Sequence, residues 1–177
     1  MADVQPYETV SLDRVGYGTE AFAWERARSR LAKRPDRVAG VSYFLGTVGP
    51  GGIPHVAGVG ALWDDGDFYF TSGPGTRKSR NLAANPACTL AVRLADLDVT
   101  LSGTARRVTD PAVLERIAAA YGELGWPAEV ADDAITAPFS APSAGPGPWH
   151  LYRFVFHTAV GLGIEAPEGA TRWRFDR

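Results

Sequence analysis

The chain has 177 residues, 45% of them hydrophobic and 21% charged, with 18 basic against 20 acidic side chains. That length admits one domain with a sizeable core, and the composition excludes wholesale disorder and a fibrous fold. A formal net charge of -2 with both signs interspersed supplies no field for nucleic acid, no apolar run approaches the ~20 residues of a membrane span, and the start of the chain lacks a charged-then-apolar leader, so a cytoplasmic protein without membrane partners is expected.

Residues 1–19 are polar and read as an irregular arm. Residues 20–34 place Trp24, Ala27 and Leu31 on one helical face, and Arg34 before Pro35 ends the run. A strand pattern over Val41 to Val48 breaks at Gly49, Pro50, Gly51, Gly52 and Pro54 and resumes from His55 to Trp63, as a hairpin would. Asp64, Asp65 and Gly66 then supply a tight turn into a return strand from Asp67 to Thr71.

The next stretch carries the strongest functional signal. After the aromatic strand come Ser72, Gly73, Pro74 and Gly75, and then a short helix opening with Thr76, Arg77 and Lys78. Unpaired N–H groups of a first helical turn carry partial positive charge, glycine permits close backbone approach, and Arg and Lys add a planar fork and a compact cation. Basic residues in a first turn oppose the helix dipole unless an anion compensates, so the segment reads as a phosphate seat rather than a solvated helix face capped by Thr76.

Asn85 and Pro86 end that helix. Leu90, Val92 and Leu94 alternate with Thr89, Ala91 and Arg93, and Val99, Leu101 and Ala105 define the dry face of the following strand. Thr109, Asp110 and Pro111 start a helix whose apolar stripe is Leu114, Ile117, Ala118, Tyr121 and Leu124, expected to lie across the sheet. A further helical piece is expected over Ala128 to Ala137, and residues 138–148 form a loop rich in Pro, Ala, Ser and Gly. Trp149 to Ile164 and Ala170 to Phe175 close the chain as strands, giving about seven in all and pointing to a closed or nearly closed barrel with helical additions. The aromatic side chains of the last strands read as core or interface before ring-stacking groups. Cys88 reads as a small buried hydrophobe, the histidines His55, His150 and His157 lack metal spacing, and no serine elbow or nucleotide-binding glycine fingerprint is present.

The order of strand, Thr71 and Ser72, glycine bend, Thr76-Arg77-Lys78, helix, Asn85-Pro86 and apolar strand resembles the pyridoxamine 5'-phosphate oxidase-like superfamily of FMN-binding split β-barrels. The likeness extends more loosely over residues 36–108 and 149–175. It implies a mainly β, antiparallel, Greek-key split barrel with helical additions as a single domain over 1–177. It also implies a homodimer with cofactor at the subunit interface. By the same resemblance Arg77 and Lys78 hold the cofactor phosphate, Thr71, Ser72 and Thr76 add hydroxyl contacts, Asn81 assists, and the backbone of Val56, Ala57, Gly58, Val59 and Gly60 flanks the ring. The strand PHVAGVGALW lacks the Arg and Lys of the oxidase proper. That departure is similar to the flavin and deazaflavin oxidoreductase branch, and it leaves FMN and coenzyme F420 as alternatives. For the acidic tail of the latter, Arg77, Lys78 and Arg80, with Lys33, Arg34 and Arg37, offer a basic path. The expected activity is hydride transfer between the cofactor and a small unsaturated substrate, with no catalytic side chain singled out; the alternative is a non-catalytic binder, carrier or sensor of a flavin-type cofactor or haem.

Overall fold

The computed structural model describes residues 4–14, 20–33, 42–141 and 143–177. Alternating apolar side chains build a nine-stranded antiparallel sheet whose main path runs β1(Glu8–Ser11), β11(Gly169–Arg174), β10(His150–Gly163), β7(Leu97–Val108), β6(Ala87–Arg93), β2(Tyr43–Val48) and β3(Pro54–Val59). The long strand β10 organises the rest. One edge pairs with β7, while the other takes β5(Asp67–Ser72) along His150–Phe154 and β11 along Thr158–Gly163. The expected return hairpin is there: β4(Ala61–Asp64) pairs with β5 across a turn in which Asp65 and Gly66 have φ of 49° and 87°. β3 and β4 are consecutive yet unpaired among the described residues, because the chain turns at Gly60 and hands the second half of the run from β2 to β5. This seam is where the barrel splits.

Two cores result. Inside the barrel, Leu45, Leu90, Val99, Leu101, Phe68, Phe154 and Phe156 pack together, and the helix α1(Trp24–Leu31) covers one end with Trp24, Ala27 and Leu31, the face its spacing predicts. Outside, the helix α3(Pro111–Glu123) lays Leu114, Ile117 and Tyr121 on Leu62, Tyr69 and Leu151. β5 is therefore covered on both faces, and Phe68, Tyr69 and Phe70 are buried in unbroken succession rather than alternately. At ~1.5–3 kcal/mol per fully buried large side chain, these layers fix where β5 ends, and the candidate site begins there.

Two expectations need correction. The arm over 1–19 is not irregular throughout: Glu8–Ser11 forms an edge strand on β11, with Glu8 drawn to Arg172 and Arg174 at 3.4 and 3.3 Å. An edge strand facing solvent needs little apolar content, which hides it in the sequence. The segment 128–137 is not helical but a hairpin, β8(Glu129–Ala131) and β9(Ala134–Thr136), turning at Asp132 with φ 53°. Its Ala and Glu favour helix, but backbone hydrogen bonds between Ile135 and Trp149 tie it to the start of β10. The strands number eleven rather than about seven among the described residues.

Candidate functional site

β5 delivers Thr71 and Ser72 to a turn closed by Thr76 N–H donating to Gly73 O at 3.0 Å, and α2(Arg77–Ala84) follows. Thr76 is the N-cap, its hydroxyl oxygen accepting from Ser79 N–H. Three hydroxyls then lock strand to helix. Ser79 Oγ donates to Ser72 Oγ at 2.9 Å, Ser72 and Thr76 share a bond of 2.8 Å, and Thr76 Oγ1 donates to Gly73 O at 2.9 Å. One direction of donation satisfies all three protons. Of the two bend glycines only Gly73 is crowded, since a Cβ there would meet Ala144 Cβ and O at 3.2 Å, whereas one at Gly75 meets nothing within 4 Å.

On this helix start the two cations differ. Arg77 is exposed and has no hydrogen-bond or ion-pair partner among the described residues. Lys78 is 8% exposed and likewise has no partner among them, and burial holds its ammonium below the usual lysine pKa. A buried unpaired charge is costly unless a counter-ion arrives. Lys78 opens on a cleft of about 240 Å³, whose floor is the backbone of Gly58–Gly60 with Thr71 and Ser72. Trp126, Phe139 and Trp149 form its aromatic wall, and Ala144 of the 138–148 loop borders it. The indole Nε1–H of Trp149 is buried with no acceptor, and the Thr71 hydroxyl has no partner among the described residues. The cleft thus combines a lysine, the Thr71 hydroxyl and apolar rings, a set suited to a planar anionic molecule such as a flavin phosphate.

The structure brings Gly58, Val59, Gly60, Thr71, Ser72 and Lys78 together around this cleft. Val56 and Ala57 lie earlier on β3, Val56 being 64% exposed. Thr76 caps α2 beside the cleft, and its proton and that of Ser72 are held internally. Asn81 is buried elsewhere, with its Nδ2 donating to Thr47 Oγ1 at 3.0 Å to fasten α2 to β2. Arg80 bends back onto Gly75 O, and Lys33 is exposed beyond α1. Arg34 and Arg37 lie outside the described residues. Sequence reading missed Trp126 and Phe139 as wall residues. Phe139 opens the Pro-, Ser- and Gly-rich loop whose Ala144 packs close to Gly73, whereas Trp126 follows α3 and carries no local signal.

Tyr121 holds the cleft floor from behind. Its hydroxyl donates toward Gly60 O at 3.2 Å and Tyr69 O at 3.1 Å, and burial drives its pKa upward. The ring is locked edge-on against Trp126 at 4.7 Å. Tyr121→Phe is expected to cost about 1–2 kcal/mol in urea unfolding, because two carbonyls lose their shared donor, and to loosen ligand binding through Gly60. An unchanged midpoint would show that water replaces the hydroxyl. Cys88 is buried as expected, its thiol pKa raised to about 12 by desolvation. No three His, Cys, Asp or Glu side chains gather into a metal-holding group among the described residues. No helix among them is long and apolar enough to cross a membrane.

An antiparallel barrel, split at one seam and carrying a buried lysine at the start of a short helix, defines the split-barrel class. The chain belongs to the pyridoxamine 5'-phosphate oxidase family, whose sequence profile matches residues 41–140. Solved structures with the same fold include a Clostridium acetobutylicum protein of the pyridoxinephosphate oxidase family related to general stress protein 26, with 16% identity, TM-score 0.58 and coverage of 85% of this chain and 94% of that one. A Nostoc punctiforme protein described as pyridoxamine 5'-phosphate oxidase-related and FMN binding has 15% identity, TM-score 0.54 and coverage of 87% and 97%. An F420 reductase has 24% identity, TM-score 0.51 and coverage of 75% and 94%. At these identities the likeness is one of fold. No curated protein sequence matches the chain significantly.

Proposed function

We propose that the protein is a flavin- or deazaflavin-dependent oxidoreductase that transfers a hydride between FMN or coenzyme F420 and a small unsaturated substrate. The observation that carries this reading is Lys78, a buried lysine with no counter-ion among the described residues, lining a cleft that also holds Trp126, Phe139 and Trp149. When bound, the cofactor supplies the redox chemistry. The chain's own residues do the positioning. Lys78, with the exposed Arg77 next to it on the helix although outside the cleft lining, neutralises a phosphate at the start of α2, where the unpaired N–H groups of the first turn add to the attraction. The backbone of Gly58–Gly60 lies along one face of the ring, and Trp126 and Trp149 exclude water.

A cleft of about 240 Å³ is smaller than the ~300–1,000 Å³ of a ligand site that encloses its occupant, so the ring system extends beyond it. A second copy of the chain completes the enclosure in this reading. Phe44, Val48 and Val56 share the outer face of the β2–β3 pair at 49%, 36% and 64% exposure, beside Gly58 at the cleft. The absence of Arg and Lys from residues 54–63 favours the deazaflavin branch over the oxidase proper. A cytoplasmic location belongs to the same reading.

Titration of the purified protein with FMN and, separately, with F420, followed by absorbance and fluorescence, tests the cofactor. Tight binding of one is expected, and binding of neither overturns the reading. Reoxidation of the reduced, loaded protein by a panel of enones and quinones tests the enzyme: a rate no faster than that of free cofactor would make it a binder or carrier instead.

A further inference from the structure

We infer that the protein has a second anion site, a groove along α2 that shares no lining residue with the cofactor cleft, built to hold a small carboxylate or phosphate monoester with a flat apolar body. The groove has a volume of about 550 Å³, and Arg80, Arg106, Arg107 and His150 line it without any carboxylate among the lining residues. This is anomalous for the molecule. The chain as a whole is slightly acidic, and ten described arginines have a carboxylate within ion-pair distance.

Within the groove the pattern fails. Arg106 has no partner among the described residues, and Arg80 reaches only the backbone carbonyl of Gly75. Arg107 meets Asp133 at 2.7 Å, but the two side chains are 36% and 57% exposed, and such a solvated pair neutralises little. His150 feels the same field: its pKa is lowered by desolvation and by Arg107, with Asp133 opposing. An adjoining groove of about 450 Å³ shares Arg106 and Arg107. Its other basic group, Arg153, is tied to Asp67, and its Asp110 is spent capping α3, so the uncompensated charge concentrates on the shared pair.

The floor is apolar and rigid. Leu82, Pro86 and Ala105 surround Tyr152, whose ring stacks on Phe70 at 5.3 Å and 8°. Guanidinium forks match planar carboxylates and phosphates bidentately, while a fixed aromatic floor selects a flat ligand body over a bare ion.

The test follows the His150 ring resonances by NMR, with calorimetry, while phenyl phosphate, benzoate, inorganic phosphate or phenol is added to the full chain. Phenyl phosphate or benzoate should move His150 saturably and phenol should not; whichever anion binds tighter identifies phosphate ester or carboxylate as the natural head group. Arg106→Gln and Arg107→Gln, both exposed, should each weaken binding by about tenfold, the size of one charge-assisted bond. Lys78→Ala should leave it within about twofold, which separates this site from the cofactor cleft even if the cleft binds no flavin. The inference is overturned if His150 stays still up to about 20 mM of either organic anion, if inorganic phosphate matches phenyl phosphate, or if Lys78→Ala abolishes the response. It is equally overturned if Arg106→Gln weakens FMN or F420 in parallel, since the groove would then belong to the cofactor.

Discussion

Replacing Lys78 with Ala is expected to weaken binding of the cofactor by about 1–3 kcal/mol, some 5- to 150-fold, while leaving the fold as stable as before or more so. The two outcomes have one cause. In the free protein Lys78 is 8% exposed with no counter-ion among the described residues, so folding desolvates its charge in part and gains no attraction in return. Removing it relieves that cost, and Lys78→Met, which retains the apolar stem, relieves it without opening a void. The bound phosphate is what makes the burial favourable. A lysine that merely packed would behave in the opposite way, losing stability on truncation and leaving affinity untouched.

The pH dependence follows with a definite sign. Burial lowers the pKa of Lys78 in the folded state below its unfolded value, so between the two values the unfolded chain binds more protons, and the stability contributed by this group rises with pH. Binding of an anion favours the charged form. Affinity should therefore begin to fall with rising pH at the lowered pKa, earlier than an ordinary lysine would allow, and Lys78→Arg should flatten the curve on the alkaline side. A binding profile that is flat across the alkaline range in both proteins would remove Lys78 from the phosphate site.

How the site reads from sequence depends on which physics fixed each part. Thr76 as N-cap, the turn at Asp64–Gly66, and the alternation of Val99, Leu101 and Ala105 are set by local backbone chemistry, and the structure places them as their residue types predict. The pairing of Arg77 with Lys78 was legible too. Their difference was not, because adjacent residues on a helix point about 100° apart and only the packing of α2 on the strand ends decides which one is buried. Gly60 illustrates the same limit. Residues 55–63 look like one strand, yet Tyr121 holds the carbonyl at which the run divides between β3 and β4, and Tyr121 lies 61 positions along the chain. The hairpin over 129–136 was hidden for a related reason, since its helix-forming composition is overridden by pairing with Trp149. The aromatic wall depends on that hairpin and on the loop after it. Residues governed by long-range contacts were thus the ones misread, and they include Trp126 and Phe139 of the cleft wall.

A larger stability effect is expected at Asp67, the residue that follows the tight turn and starts the strand leading to Thr71. Its carboxylate is 1% exposed and sits between Arg153, at 2.5 Å, and Arg177, which also donates to Gly66 O at 2.7 Å. The Arg177 guanidinium lies 4.8 Å from the centroid of the Phe156 ring, so it is fixed by the turn, the carboxylate and the core together. Asp67→Asn leaves both cations without their anion. The consequences differ for the two: the Arg153 side chain is 52% exposed and recovers water, whereas that of Arg177 is 16% exposed and does not. The expected loss is about 2–4 kcal/mol for Asp67→Asn, toward the range for breaking a buried pair. It falls to about 1–2 for Arg177→Gln, and below about 1 for Arg153→Gln, where the remaining arginine still serves the carboxylate. Urea unfolding of the three variants measures the order. Equal losses would mean that the network acts as a surface pair. With the order as expected, Asp67→Asn should also weaken cofactor binding, because β5 carries the disturbance from the turn to Thr71 and Ser72, while Arg153→Gln should leave binding unchanged.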